Sequence, residues 1–156
     1  MRRRRAAKRE VLPDPKYNNE LISKFINMIM ICGKRSVAES IVYSAMELLA
    51  KKTGSKNPAE VFQKAIDNAR PMLEVRPRRI GGATYQVPME VDRNRGNFMA
   101  MKWIRDFARA KKGKSMQEKL ADELTEAHNK TGGAIKKRED THRMAESNKA
   151  FSHYRW

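Results

Sequence analysis

Apolar residues recur at spacings of three and four along most of the chain, and at a spacing of two in a single short stretch. Leu21, Ile22, Phe25, Ile26, Ile29 and Met30 predict a first helix over residues 19–32, with Gly33 suited to the position after its end. Its C-terminal half is apolar almost all round, so it belongs at the centre of the core. Ser36-Val37-Ala38-Glu39 has the form of a capping box, in which serine and glutamate each satisfy a free backbone donor. A second helix follows, with Ile41, Val42, Ala45, Leu48 and Leu49 on one side and Gly54 as its stop. Asn57-Pro58-Ala59-Glu60 opens a third, proline standing at the first helical position where no donor is missed. Val61, Phe62, Ala65, Ile66 and Ala69 face inward, and Pro71 ends the helix by pushing the preceding residue out of helical geometry.

The period of two runs from Met72 to Met89 and is centred on Gly81-Gly82, a pair that tolerates positive φ at both central positions of a tight turn. A two-residue turn sets Ile80 opposite Ala83, Arg79 opposite Thr84, Arg78 opposite Tyr85, Arg76 opposite Val87 and Glu74 opposite Met89. Pro77 and Pro88 lack backbone donors, which excludes a central strand of a wide sheet but not a two-stranded ribbon. A lone ribbon is marginal in water, so it must lie against helices or a partner.

Asp92 then caps a long fourth helix reaching Lys112 and stopped by Gly113. Met99, Ala100, Trp103, Ile104, Phe107 and Ala108 cover one half of it, while Arg95, Lys102, Arg105, Arg109 and Lys112 gather on the other with Asp106 alone at the border. Arg95, Lys102 and Arg109 span about 20 Å of helix axis, enough to follow several phosphates. Ser115-Met116-Gln117-Glu118 is a further capping box, opening a fifth helix that carries Leu120, Ala121, Leu124 and Ala127. Gly132-Gly133 interrupts, and residues 134–150 are helix-compatible but poor in large apolar groups, which places them at the rim. Phe151 to Trp156 holds three aromatics and an arginine, able to dock on the body or to stack on bases. The expected fold is mainly α: a single domain of five to six helices with an extended β-hairpin, residues 72–90, between the third and fourth. A basic tail, residues 1–12, precedes the helical body of residues 13–150, and a C-terminal tail, residues 151–156, follows it.

Charge turns this outline towards a polyanion. The 156 residues carry 34 Lys and Arg against 18 acids, a net charge of +16. The ribbon has Arg70 before it and Arg76, Arg78 and Arg79 along it, with Glu74 its one acid and Tyr85 open to stacking. Arg76 and Arg78 are expected to point away from the core. Arg2, Arg3, Arg4, Arg5, Lys8 and Arg9 make a tail with no large apolar side chain, expected to order only when a partner neutralises it. With the stripe of Arg95, Lys102, Arg105 and Arg109, and with Lys136 and Lys137, these are the candidate nucleic-acid contacts.

Other classes lose support. Cys32 is the one cysteine, which excludes an internal disulfide, fits a reducing compartment and reads as a core residue. Ala6-Ala7 gives way at once to Lys8-Arg9-Glu10, so no export signal is read, and the apolar run 25–32 is far short of a membrane span; a soluble, intracellular protein with no membrane partner is expected. Gly33-Lys34-Arg35-Ser36 fails as a phosphate-binding loop, because Arg35 stands where Ser or Thr is needed and Met28 where the earlier glycine belongs. His128, His142 and His153 lack zinc-site spacing, and no carboxylate pair stands out as acid and base. No catalytic residue, metal or cofactor is expected.

Three segments, Asp14 to Leu49, Leu73 to Val91 and Lys136 to Trp156, closely resemble the bacterial and organellar form of ribosomal protein seven of the small subunit, and the similarity covers essentially the whole chain. The resemblance implies a mostly helical protein with an extended hairpin that binds the 3′ major domain of small-subunit (16S) ribosomal RNA. It implies that the protein nucleates assembly of the subunit head, lies near exit-site tRNA and messenger, and contacts ribosomal proteins nine and eleven of the same subunit. The implied location is the small ribosomal subunit, in the cytoplasm or in an organelle's stroma or matrix. By matching position, Lys34, Arg35, Arg76, Arg78 and Arg79 are implied RNA contacts. Gly81, Gly82, Tyr154, Arg155 and Trp156, with Tyr85 beside them, are implied exit-site elements. Pro77 stands where many relatives have serine. From other classes come two alternatives: a DNA-binding helix-turn-helix regulator joined at Cys32-Gly33-Lys34-Arg35, and a nuclease, which would need a metal site or general base that the sequence does not display.

Overall fold

A computed structural model describes residues 10–154. Arg2, Arg3, Arg4, Arg5, Lys8, Arg9, Arg155 and Trp156 lie outside the described residues.

Asn19, in extended conformation, accepts the Leu21 N–H at 2.8 Å and opens α1 (Glu20–Ile29). The helix ends sooner than its apolar pattern suggests, because Met30 turns extended and Cys32 adopts a φ of 53° ahead of Gly33 at 71°. This turn carries Cys32 out to solvent, so it is exposed and not a core residue. α2 (Arg35–Thr53) starts on Lys34 without any side-chain cap. The expected capping box at Ser36 does not form, since Ser36 already lies inside the first turn; Glu39 instead pairs with Arg35, one turn back, at 2.8 Å. Asn57 precedes α3 (Pro58–Ala69), again without capping through its oxygen; its amide donates to Glu60 at 3.0 Å.

β1 (Leu73–Ile80) and β2 (Ala83–Glu90) form an antiparallel ribbon in the register that a two-residue turn dictates, Ile80 facing Ala83 and Glu74 facing Met89. Gly81 and Gly82 have φ of 56° and 88°, the left-handed values that such a turn requires of both centres. Pro77 sits inside β1 opposite Gln86 without interrupting it. Asp92 caps α4 (Arg93–Ala110) through the Asn94 N–H, and Ser115 caps α5 (Met116–His128) through the Glu118 N–H. α6 (Gly133–Ser147) and a C-terminal 3-10 helix (Lys149–Tyr154) complete the described chain.

α5 lies against α2, α3 and α4, and the core gathers around it. Phe25 and Phe62 are fully buried with ring centroids 5.2 Å apart, and Ile26, Met46, Leu49, Ile66, Ile104, Leu120 and Leu124 surround them. Two polar ties close the body. Buried Asp14 accepts the Lys16 and Tyr17 N–H groups at 3.1 Å each and the Tyr43 hydroxyl at 2.7 Å, fastening the N-terminal approach to α2. Burial and the neighbouring Asp14 carboxylate push the Tyr43 phenol up to about 12. Buried Glu123 of α5 accepts the Ala134 N–H at 3.1 Å at the start of α6 and meets the Lys111 ammonium at 2.9 Å.

α6 is not a rim helix. Ala134, Ile135, Thr141 and Ala145 are buried, and the helix packs on α4, α3, α5 and both strands. Its small residues are the reason: they let two elements approach closely without contributing the large apolar groups by which a core helix is recognised. Gly133 marks the closest approach, since a Cβ built there would stand 2.5 Å from the Phe107 ring.

Candidate nucleic-acid interface

A two-stranded ribbon exposes both its edges, and here three of the exposed side chains of the first strand are arginines. Arg76, Arg78 and Arg79 are exposed on β1 and Lys102 on α4. Among the described residues, Arg78, Arg79 and Lys102 have no acidic partner within ion-pair distance. The same holds for Lys34, at the foot of α2, and for Lys136 and Lys137 on α6, all three exposed.

The remaining candidates are held by the chain. Glu74, only 4 % exposed, accepts the Arg76 Nε–H at 2.5 Å and the Arg95 Nε–H at 2.9 and 2.8 Å through its two oxygens. Arg35 pairs with Glu39, and Arg105 with Asp106 at 2.6 Å. Arg109 donates from Nη2 to the Ile29 carbonyl at 3.2 Å, occupying an open acceptor at the end of α1. Arg70 turns away from the ribbon to pair with Asp67 at 2.8 Å, its stem lying over Gly96. The α4 stripe is therefore real as a cationic surface but mixed in its attachments: Arg95 leans on the ribbon, Arg109 on α1, and Lys102 stands between them.

Tyr85 is engaged from within. Its ring lies 5.2 Å from Phe151 and 5.5 Å from Tyr154, so the 3-10 helix covers part of the ribbon's aromatic face. The base of the ribbon is tied separately, where the Met72 N–H donates to His142 Nε2 at 3.0 Å. Burial, reinforced by the nearby Arg138 charge and opposed by Glu139, holds the His142 imidazole below its usual 6.5, which favours the neutral form able to accept that bond.

Glu74, Phe151 and His142 are the contributors that the sequence did not identify as such. Glu74 and Arg76 share a strand face by the period of two, which was a usable local signal. The contact with Arg95 crosses from β1 to α4 and had none. Among the described residues there is no group of three or more His, Cys, Asp or Glu placed to hold a metal ion, and no helix is long and apolar enough to cross a membrane.

Comparison with known proteins gives full-length matches. The family described as Ribosomal protein S7p/S5e matches residues 1–149. The chain is 60% identical over 156 residues, the whole of both chains, to the small ribosomal subunit protein uS7 of Fervidobacterium nodosum. It is 57% identical, again over the whole of both chains, to the protein of that name from Thermotoga maritima. It is also 57% identical over 155 residues, 99% of each chain, to the one from Pelotomaculum thermopropionicum.

Proposed function

Since the chain belongs to the ribosomal protein S7p/S5e family, we propose that it works as a non-catalytic constituent of the small ribosomal subunit and binds 16S ribosomal RNA directly. The observation that carries this reading is the set of exposed cations, Arg78, Arg79, Lys102, Lys136 and Lys137, for which the described chain supplies no acid. Folded RNA offers the phosphates that such unpaired cations lack, and Arg is suited to them by its planar fork of donors. In this reading the protein helps nucleate the head of the subunit, and the tip of the ribbon, Gly81 and Gly82, reaches with the C-terminal end towards exit-site tRNA and messenger. Ribosomal proteins nine and eleven are its protein neighbours.

Binding of the purified chain to small-subunit ribosomal RNA, followed against salt, tests the reading. If about eight phosphates are neutralised, log K falls against log[salt] with a slope near −7 for duplex contacts and less for single strands. A flat salt response, or equal competition by duplex DNA, would reject it. Footprinting the chain on the RNA then locates the contacts.

A further inference from the structure

Arg76 and Arg95 come from different elements and meet on one carboxylate. Each donates its Nε–H to Glu74, at 2.5 Å from Arg76 and 2.9 and 2.8 Å from Arg95, and the terminal nitrogens of both lack an acceptor among the described residues. The exposures are graded: the Glu74 side chain is 6% exposed, those of Arg76 and Arg95 45% and 50%. The acid is therefore inside, and two guanidiniums stand over it with their outer edges in solvent.

We propose that Glu74, Arg76 and Arg95 form one clamp for a single RNA backbone phosphate, with Glu74 as a positioning residue that never touches the RNA. This rests on the reading of the chain as an RNA binder. The triad carries one net positive charge, the complement of one phosphodiester. Two guanidiniums this close repel each other, and the carboxylate between them offsets that repulsion before any RNA arrives. Fixing both Nε groups also removes rotamer freedom from two long side chains in advance, so less is lost when the terminal nitrogens take a phosphate. Arg78, Arg79 and Lys102, which have no such acid, act as free counter-charges.

The clamp reverses the sign expected of a charge change. Glu74→Gln removes a negative charge from the RNA-facing side, which by overall electrostatics strengthens binding. If Glu74 aims the arginines, binding instead weakens by roughly tenfold, about the loss of one charge-assisted hydrogen bond. Glu118→Gln on α5, the loss of one carboxylate charge at an exposed residue with no arginine to aim, is the control and binds as tightly as the parent or slightly more so. Arg95→Lys keeps the charge without the fork, and it weakens binding while leaving the salt slope unchanged. Arg76→Ala with Arg95→Ala reduces the slope by about one, against about two if each arginine held its own phosphate.

Affinities are measured on the full chain with small-subunit ribosomal RNA across a salt series, each variant being checked by circular dichroism. If Glu74→Gln does not fold, the Arg95→Lys result and the double-variant slope decide in its place. Parent binding with Glu74→Gln equal or tighter, or a slope change of two, overturns the clamp and leaves the RNA reading intact. Absence of parent binding overturns both.

Discussion

Arg76 and Arg78 lie on the same face of one strand, yet their surroundings make them different residues. Arg78 is exposed and has no acid partner among the described residues, so Arg78→Ala should leave stability within about 0.5 kcal/mol while reducing the salt slope of RNA binding by about one. Thermal melting and a salt titration check the two halves. Arg76 was expected to point away from the core in the same manner, and its guanidinium does reach solvent, but it also satisfies a buried carboxylate. Arg76→Ala leaves Glu74 with Arg95 alone and should cost about 1 kcal/mol, screening being substantial at a half-exposed arginine. At Gly133 the constraint is steric. Alanine there puts a Cβ 2.5 Å from the Phe107 ring, and because both backbones are held by helix packing the expected loss is about 1–3 kcal/mol, seen as a melting point lower by several degrees.

The ribbon is the element whose stability depends most on its neighbours, for two strands alone do not hold in water. Among the described residues its attachments include Glu74 to Arg95, Met72 to His142, and Tyr85 to Phe151 and Tyr154. The second is sensitive to pH. His142 is held below its usual 6.5, so below that value the unfolded chain binds more protons than the folded one. Its contribution is complete above about 6.5 and is lost as pH falls through the lower folded value. The parent should therefore lose more stability than His142→Gln between pH 7 and pH 5, an outcome read from denaturant midpoints along that series. The third is aromatic: Phe151→Ala removes a ring contact of about 0.5–1.5 kcal/mol and should speed amide exchange in β1 and β2 more than in α5. Equal exchange in both strands before and after the substitution would show that the 3-10 helix does not brace them.

At the scale of the molecule, several acids tie together segments that packing brings side by side. Asp122 draws Lys52 and Lys114 together, Glu123 and Glu126 take Lys111, and Glu47 takes Lys16. Among the described residues, the exposed cations without such partners include Arg78 and Arg79 on the ribbon, Lys102 on α4, Lys136 and Lys137 on α6, and Lys34 at the foot of α2. With a net charge of +16 the free chain repels itself, so added salt should raise its melting temperature while lowering its affinity for RNA. Parallel melting and binding series in the same buffers test this pairing of opposite signs. The hairpin register was legible because Gly81-Gly82 fixes the turn and the pleat then fixes every pair after it. The core faces of α3 and α5 were legible because their apolar residues keep helical spacing, and those of α2 and α4 in part, since Met46 and Met101 are buried outside the expected faces and Met99, Trp103 and Phe107 are only half-buried. The cap at Ser36, the end of α1, the exposure of Cys32 and the burial of α6 were not, for each depends on where a neighbouring backbone lies.

Sequence alone settled what is local or additive: helical periods, the turn that sets strand pairing, and a surplus of positive charge too large for the chain's own acids. Tertiary structure decided which charges remain available. Ion pairs between segments distant along the chain, such as Arg95 with Glu74 or Lys52 with Asp122, form only when packing brings them within a few ångströms. Coulomb attraction and desolvation at that range depend on separation in space, which residue order does not specify until the helices have packed.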